Sequence, residues 1–199
     1  MIFSVQKKYI IALLCGIILS FSAYSIERNP KNNFKTTFLS LYTGSAKLTY
    51  ERALFNKQSI EITVGYIGVG YDSFKIQPKG GLFRLAYKFI ISNNANNTLT
   101  GFYLKPEFAY SDFGYNCEDQ KYIYSKYSKK DFITRGRSCM GTLMMCTGYQ
   151  WAKNILVFDV FAGAGLGKGN DAEIQYHHGF IKRLNYITFT FGLKIGLGF

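Results

Sequence analysis

Cysteine is sparse and scattered: of the four in 199 residues, Cys15 lies in an N-terminal apolar run, while Cys117, Cys139 and Cys146 follow no metal-ligand spacing. Histidine is scarcer still, since His177 and His178 are the only two and are adjacent. Neighbours on an extended chain point to opposite sides, so the pair does not readily act in one site. No metal site, cofactor or catalytic residue is therefore expected. Acids are few, 12 against 24 Lys plus Arg, which gives a formal charge of +12. That balance favours acidic partners, and no motif points to nucleic acid. Past the first residues no long apolar run exists either, because Lys, Arg, Asn or Gly interrupts each one. A spanning helix needs about 20 predominantly apolar residues, so any further membrane crossing has to be made by strands.

What is present begins with an export signal. Lys7 and Lys8 supply a basic start, residues 9–21 an apolar run, and Ala23-Tyr24-Ser25 the small residues that a signal peptidase reads. We expect residues 1–25 to be a cleaved signal peptide and 26–199 to form a single domain. Cys15 follows Leu13 and Leu14 rather than a small residue, so lipidation there is not expected. Retention of the segment as an anchor is the alternative. The mature chain keeps about ten net positive charges once Lys7 and Lys8 are removed. It has only three prolines and is 18% aromatic, which suits strands with aromatic belts.

The clearest strand is the last. Phe189, Phe191, Leu193, Ile195, Leu197 and Phe199 share one parity, and Thr190, Gly192, Lys194, Gly196 and Gly198 the other. About ten residues of such alternation span a bilayer when tilted. A period-two reading finds seven more segments, at 34–43, 46–54, 59–71, 81–90, 100–110, 139–151 and 155–167. Short turns at 55–58, 92–98 and 152–154 alternate with longer connections, although Gly44-Ser45 is a short exception. Pro106 removes a ladder hydrogen bond and predicts a bulge or local irregularity in the fifth strand. The expected fold is all-β, an eight-stranded antiparallel up-and-down transmembrane β-barrel.

The final segment resembles the C-terminal sorting strand of bacterial outer-membrane barrels, with Thr190, Gly192, Ile195 and Leu197 in the matching places. The mature chain as a whole is similar to the small eight-stranded barrels of the OmpA and OmpX type. Leu48-Thr-Tyr-Glu51-Arg52 and Gly148-Tyr-Gln-Trp151 resemble segments of uncharacterised Bacteroidota outer-membrane barrels. The resemblance implies a monomer in the bacterial outer membrane, in contact with its lipid and lipopolysaccharide. It also implies insertion by the barrel assembly machinery through the C-terminal strand. It does not fix a function, since that group includes adhesins, envelope proteins and lipid-modifying enzymes.

The parity opposite the apolar one carries Lys47, Glu51, Glu61, Arg84, Lys88, Lys105, Glu107, Asp159 and Lys194. Side chains just fill an eight-stranded barrel, and charges buried there must pair. A structural charge network is the expectation, and a proton donor or ion site among the four acids the alternative. Cys117 and Cys139 bracket the longest connection, 111–138, and form a candidate disulfide in an oxidising compartment; free thiols are the alternative. Within that connection Lys121, Tyr122, Tyr124, Lys126, Tyr127, Lys129, Lys130, Phe132, Arg135 and Arg137 interleave bases with aromatic rings, and their alternation suggests a projecting hairpin. This is the candidate surface for an acidic extracellular ligand. The expected role is structural or adhesin-like surface interaction. Two alternatives stand beside it: a lipid A-modifying enzyme using His177 or His178, and a soluble lipocalin-like barrel that folds the Phe, Leu and Ile face around an apolar ligand.

Overall fold

Alternation decides which way each side chain points, and in the computed structural model it sorts the chain into an apolar outside and a charged inside. Residues 31–42, 44–55, 57–69, 77–91, 99–119, 132–153, 155–170, 182–184 and 186–199 are described, the side chains of 117–119, 132–134 and 182–184 excepted. Their strands are β1 (Asn32–Thr37), β2 (Ser45–Phe55), β3 (Gln58–Ile67), β4 (Lys79–Ile90), β5 (Gly101–Asp119), β6 (Phe132–Lys153), β7 (Leu156–Gly169), β8 (Lys182–Leu184) and β9 (Ile187–Gly198). Consecutive strands from β1 to β7 pair antiparallel, β9 pairs with β7, and β1 closes the ring on β9. The result is an eight-stranded up-and-down barrel, with β8 a short extra strand on β9. Closure leaves no continuous sheet edge, which disposes of the aggregation hazard that an open sheet of this apolarity would carry.

On the outer surface Leu48, Val64, Leu143 and Phe191 are each more than half exposed, among many other apolar side chains. Facing inward, Glu51, Lys88, Lys105, Asp159 and Lys194 have no accessible surface. The soluble lipocalin-like alternative would fold the Phe, Leu and Ile face around a ligand; in the structure that face lies outside and buried charges lie inside. The start of β1 and the end of β9 meet at the short-turn end of the barrel, where the Asn32 and Phe199 backbones exchange hydrogen bonds of 3.0 and 2.9 Å. Phe34 stacks on Phe199 there at 5.7 Å between ring centres.

Several strand limits differ from those read in the sequence. The first strand stops at Thr37, because Phe38–Leu41 forms a 3-10 turn in which alternation fails and Phe38, Leu39 and Leu41 are all exposed. At Pro106 the β4–β5 ladder lapses between Ala86↔Glu107 and Phe89↔Leu104 with no shift of register, while Pro106 still pairs with Met145 of β6. It is a local irregularity rather than a bulge, since one missing N–H removes a rung without adding a residue. The largest departure is the connection 111–138. Most of its ends are strand, with β5 and β6 paired from Gly101↔Gln150 to Asp119↔Phe132. Gly68 makes the bend after β3 at φ 113, where a Cβ would stand 2.2 Å from the Pro78 carbonyl oxygen.

Candidate functional site

The lumen is built around Lys35, which β1 directs inward between the outward Phe34 and Thr36. Its Nζ donates to Glu51 Oε2 and Glu61 Oε2 at 2.9 Å each, to Asp159 Oδ2 at 2.7 Å and to Gln150 Oε1 at 3.1 Å. Lys88 joins from β4, with Nζ 2.9 Å from Glu51 Oε1 and 3.2 Å from Asp159 Oδ2. Lys105 bridges Glu61 at 3.1 Å and Glu107 at 2.8 Å, and Lys194 also binds Glu61. Taking such ions out of water costs several kcal/mol each, which is offset only where geometry and extra hydrogen bonds are good. Here the carboxylates do gain them. Glu51 accepts from Ser59, Asn33 and Gln150 at 2.8, 2.9 and 3.1 Å, and Asp159 accepts from the Tyr103 hydroxyl at 2.5 Å. Tyr103 also lies under Lys88, 4.2 Å from ring centre to Nζ.

Gly148 leaves room for that tyrosine, since a Cβ there would meet the Tyr103 hydroxyl at 2.5 Å. Nearer the long loops, Arg84 reaches across to Thr190 Oγ1 at 3.2 Å and lies 3.2 Å from Glu107 Oε1. The latter contact is an ion pair by distance and is not aligned as a hydrogen bond. Lys47 differs from all of these: it is buried, yet its Nζ has no hydrogen-bond partner and no ion pair among the described residues.

All nine lumen charges read from alternation, Lys47, Glu51, Glu61, Arg84, Lys88, Lys105, Glu107, Asp159 and Lys194, thus point inward and are buried. Sequence reasoning missed Lys35, the most connected of the cations, and Gln150; Tyr103 was placed on the inward parity with Lys105 and Glu107 but not linked to Asp159. The signal for Lys35 was present in the Phe34-Lys35-Thr36 parity, but so short a strand offers only one alternating cycle around it. Every one of the four acids faces ammonium or guanidinium groups. None of them is left as a free carboxylate for a metal, and among the described residues no group of His, Cys, Asp and Glu is placed to hold one.

The second candidate surface is the β5–β6 hairpin. β4 stops opposite Gly114 and β7 opposite Met140, so beyond those points no strand flanks the hairpin, though Asn116 Nδ2 donates to Gln77 and Asn170 bonds Cys139 and Arg137. Arg137 clamps Asp112 through two contacts, Nε to Oδ1 at 2.8 Å and Nη2 to Oδ2. That hydrogen bonding holds the Asp112 carboxyl below its usual range. The Tyr115 ring covers Gly136 on the facing strand. A groove of about 560 Å³ runs beside Lys79, Tyr110, Asp112 and Arg137, and another of about 380 Å³ lies between Gln77, Lys79, Asn116 and Arg135. Arg135 and Arg137 are exposed.

Phe132 is paired opposite Asp119, while Lys121, Tyr122, Tyr124, Lys126, Tyr127, Lys129, Lys130, His177 and His178 lie outside the described residues. Cys117 and Cys139 were a candidate disulfide with free thiols as the alternative. Cys139 is a free thiol, and the register sets it opposite Asp112 while Cys117 faces Thr134. The two cysteines were read as the base of a loop, whereas the paired strands put them at different heights.

No protein-family model, curated protein or solved structure matches the chain.

Proposed function

We propose that this protein is a bacterial outer-membrane barrel that works by contact and not by catalysis, presenting the β5–β6 hairpin to acidic partners. The observation that carries the reading is the inversion of polarity across one wall: apolar side chains outside, ion pairs inside. In water that arrangement exposes its largest apolar surface, whereas in a bilayer the same surface is solvated by acyl chains. Aromatic residues favour the ends, with Tyr149 and Trp151 near the short turns and Tyr66 and Tyr186 near the long connections. Lipid and lipopolysaccharide are its surroundings, the assembly machinery engages it through β9, and it acts as a monomer.

The hairpin supplies the contact role. Lys79, Arg135 and Arg137 line its grooves beside Tyr110 and Tyr115, a combination that meets phosphates and carboxylates with fixed aromatic area. The test is gel mobility of the protein from isolated outer membranes, with and without boiling in detergent. A compact species converted by heat supports the reading. Recovery from the soluble periplasm with no such shift overturns it. Given the first outcome, Lys79→Ala with Arg135→Ala is expected to weaken binding of intact cells to an acidic polysaccharide surface.

A further inference from the structure

Among the described residues the buried charges of the lumen do not balance. Six cations, Lys35, Lys47, Arg84, Lys88, Lys105 and Lys194, face four carboxylates, Glu51, Glu61, Glu107 and Asp159. Five of those cations make at least one ion pair with these acids. Lys47 makes none, and it is 4% exposed. Its surroundings deepen the imbalance, because Arg84 and Lys194 act on it as like charges, and Glu107 is the described acid that offsets them. Glu107 is already shared between Arg84 and Lys105. An unpaired buried ammonium costs several kcal/mol, and the wall offers no described acid to relieve it.

Inward on the loop side of Arg84, Ile67, Leu82, Phe113 and Met140 are buried and apolar, and hydroxyls stand among them. Ser111 on β5 and Thr188 on β9 are buried, and neither Ser111 Oγ nor Thr188 Oγ1 has a hydrogen-bond partner. Thr190 there accepts from Arg84. β7 contributes only glycine, at Gly163, Gly165 and Gly167, to the inward parity beyond Phe161. An orphaned buried amino group and two orphaned hydroxyls, all of them donors, are what a small anion would complete: it supplies acceptors, and its charge favours the protonated form of Lys47.

We propose that the loop-side half of the lumen binds a small inorganic anion, a halide or an oxyanion, with Lys47 as its principal ligand. On the other side the Lys35 layer fills the lumen with ion pairs, so the anion enters from the loop side and does not pass through. The site stabilises the barrel by ligation, in proportion to the free anion present.

The test uses the full chain, folded in detergent micelles, with inorganic phosphate and sodium bromide as separate probes at constant ionic strength set with HEPES. At least one probe is expected to raise the unfolding temperature of the native chain, and Lys47→Met is expected to abolish that rise. Apparent affinity falls by about tenfold or more, as loss of a charge-assisted hydrogen bond implies. Lys47→Gln, which keeps a donor, serves as a second variant. Bromide-soaked crystals of the native chain give a readout independent of folding, namely an anomalous peak within hydrogen-bond distance of Lys47 Nζ. An equal rise in the native chain and both variants would assign the effect to exposed bases and overturn the proposal. Absence of any rise together with an empty map at Lys47 would also overturn it.

Discussion

Lys35 and Lys47 point inward from neighbouring strands, and their removal is expected to have opposite signs. Lys35→Met strips three carboxylates, Glu51, Glu61 and Asp159, of a shared cation. Loss of one partner from a buried ion cluster costs about 3–5 kcal/mol, and the midpoint of urea unfolding from detergent or lipid should fall accordingly. Lys47→Met removes a cation with no acid of its own, so in buffer free of small anions the midpoint should hold or rise. The exposed Asp112–Arg137 clamp belongs to another regime. Its hydrogen bond depresses the Asp112 pKa, so the pair is present above the ordinary aspartate range and lost as pH falls through the lowered value. Screening at the surface keeps its effect on global stability small. Carboxyl carbon shifts of Asp112 against pH should show the depressed titration, and Arg137→Ala should return it to the normal range. At this scale the sequence was legible wherever long alternation set the parity. It hid Lys35 for the converse reason, and it hid the hydrogen-bond partners because Gln150 and Tyr103 are neutral and carry no charge signal.

Strands behaved as their patterns said where apolar and polar residues alternate over many positions, as in β4 and β9. They departed where local geometry competes. Phe38-Leu39-Ser40-Leu41 places apolar residues without regular alternation, and the chain there winds into a 3-10 turn instead of extending β1. In β5 and β6 the strands run past the positions where apolar content declines, since hairpin pairing continues as long as backbone hydrogen bonds find partners. Composition marks the apolar outer band of a strand and not its end. Pro106 gives the sharpest test at this level. It faces outward at the lapse in the β4–β5 ladder, so Pro106→Ile should restore one backbone hydrogen bond. A gain of about 0.5–1.5 kcal/mol is expected, read as a higher urea midpoint, with slower amide exchange at neighbouring β4 residues.

Across the whole molecule the joints are unequal. The β5–β6 hairpin holds 19 register pairs, whereas β1 meets β9 through only five, Asn33↔Gly198 to Thr37↔Lys194. Phe199 reinforces that short joint by stacking on Phe34 and exchanging backbone hydrogen bonds with Asn32. Phe199→Ala should therefore lower the temperature at which the compact gel species is lost, while the equally aromatic Phe102→Ala, distant from the joint, should lower it less. The inequality also gives the ring a mechanical polarity. Tension applied at Lys31 loads a handful of rungs at the place where the first and last strands meet, while the tall hairpin across the barrel stays unloaded. A single molecule pulled from that end should open first at β1, like a clasp, and surrender its remaining staves afterwards.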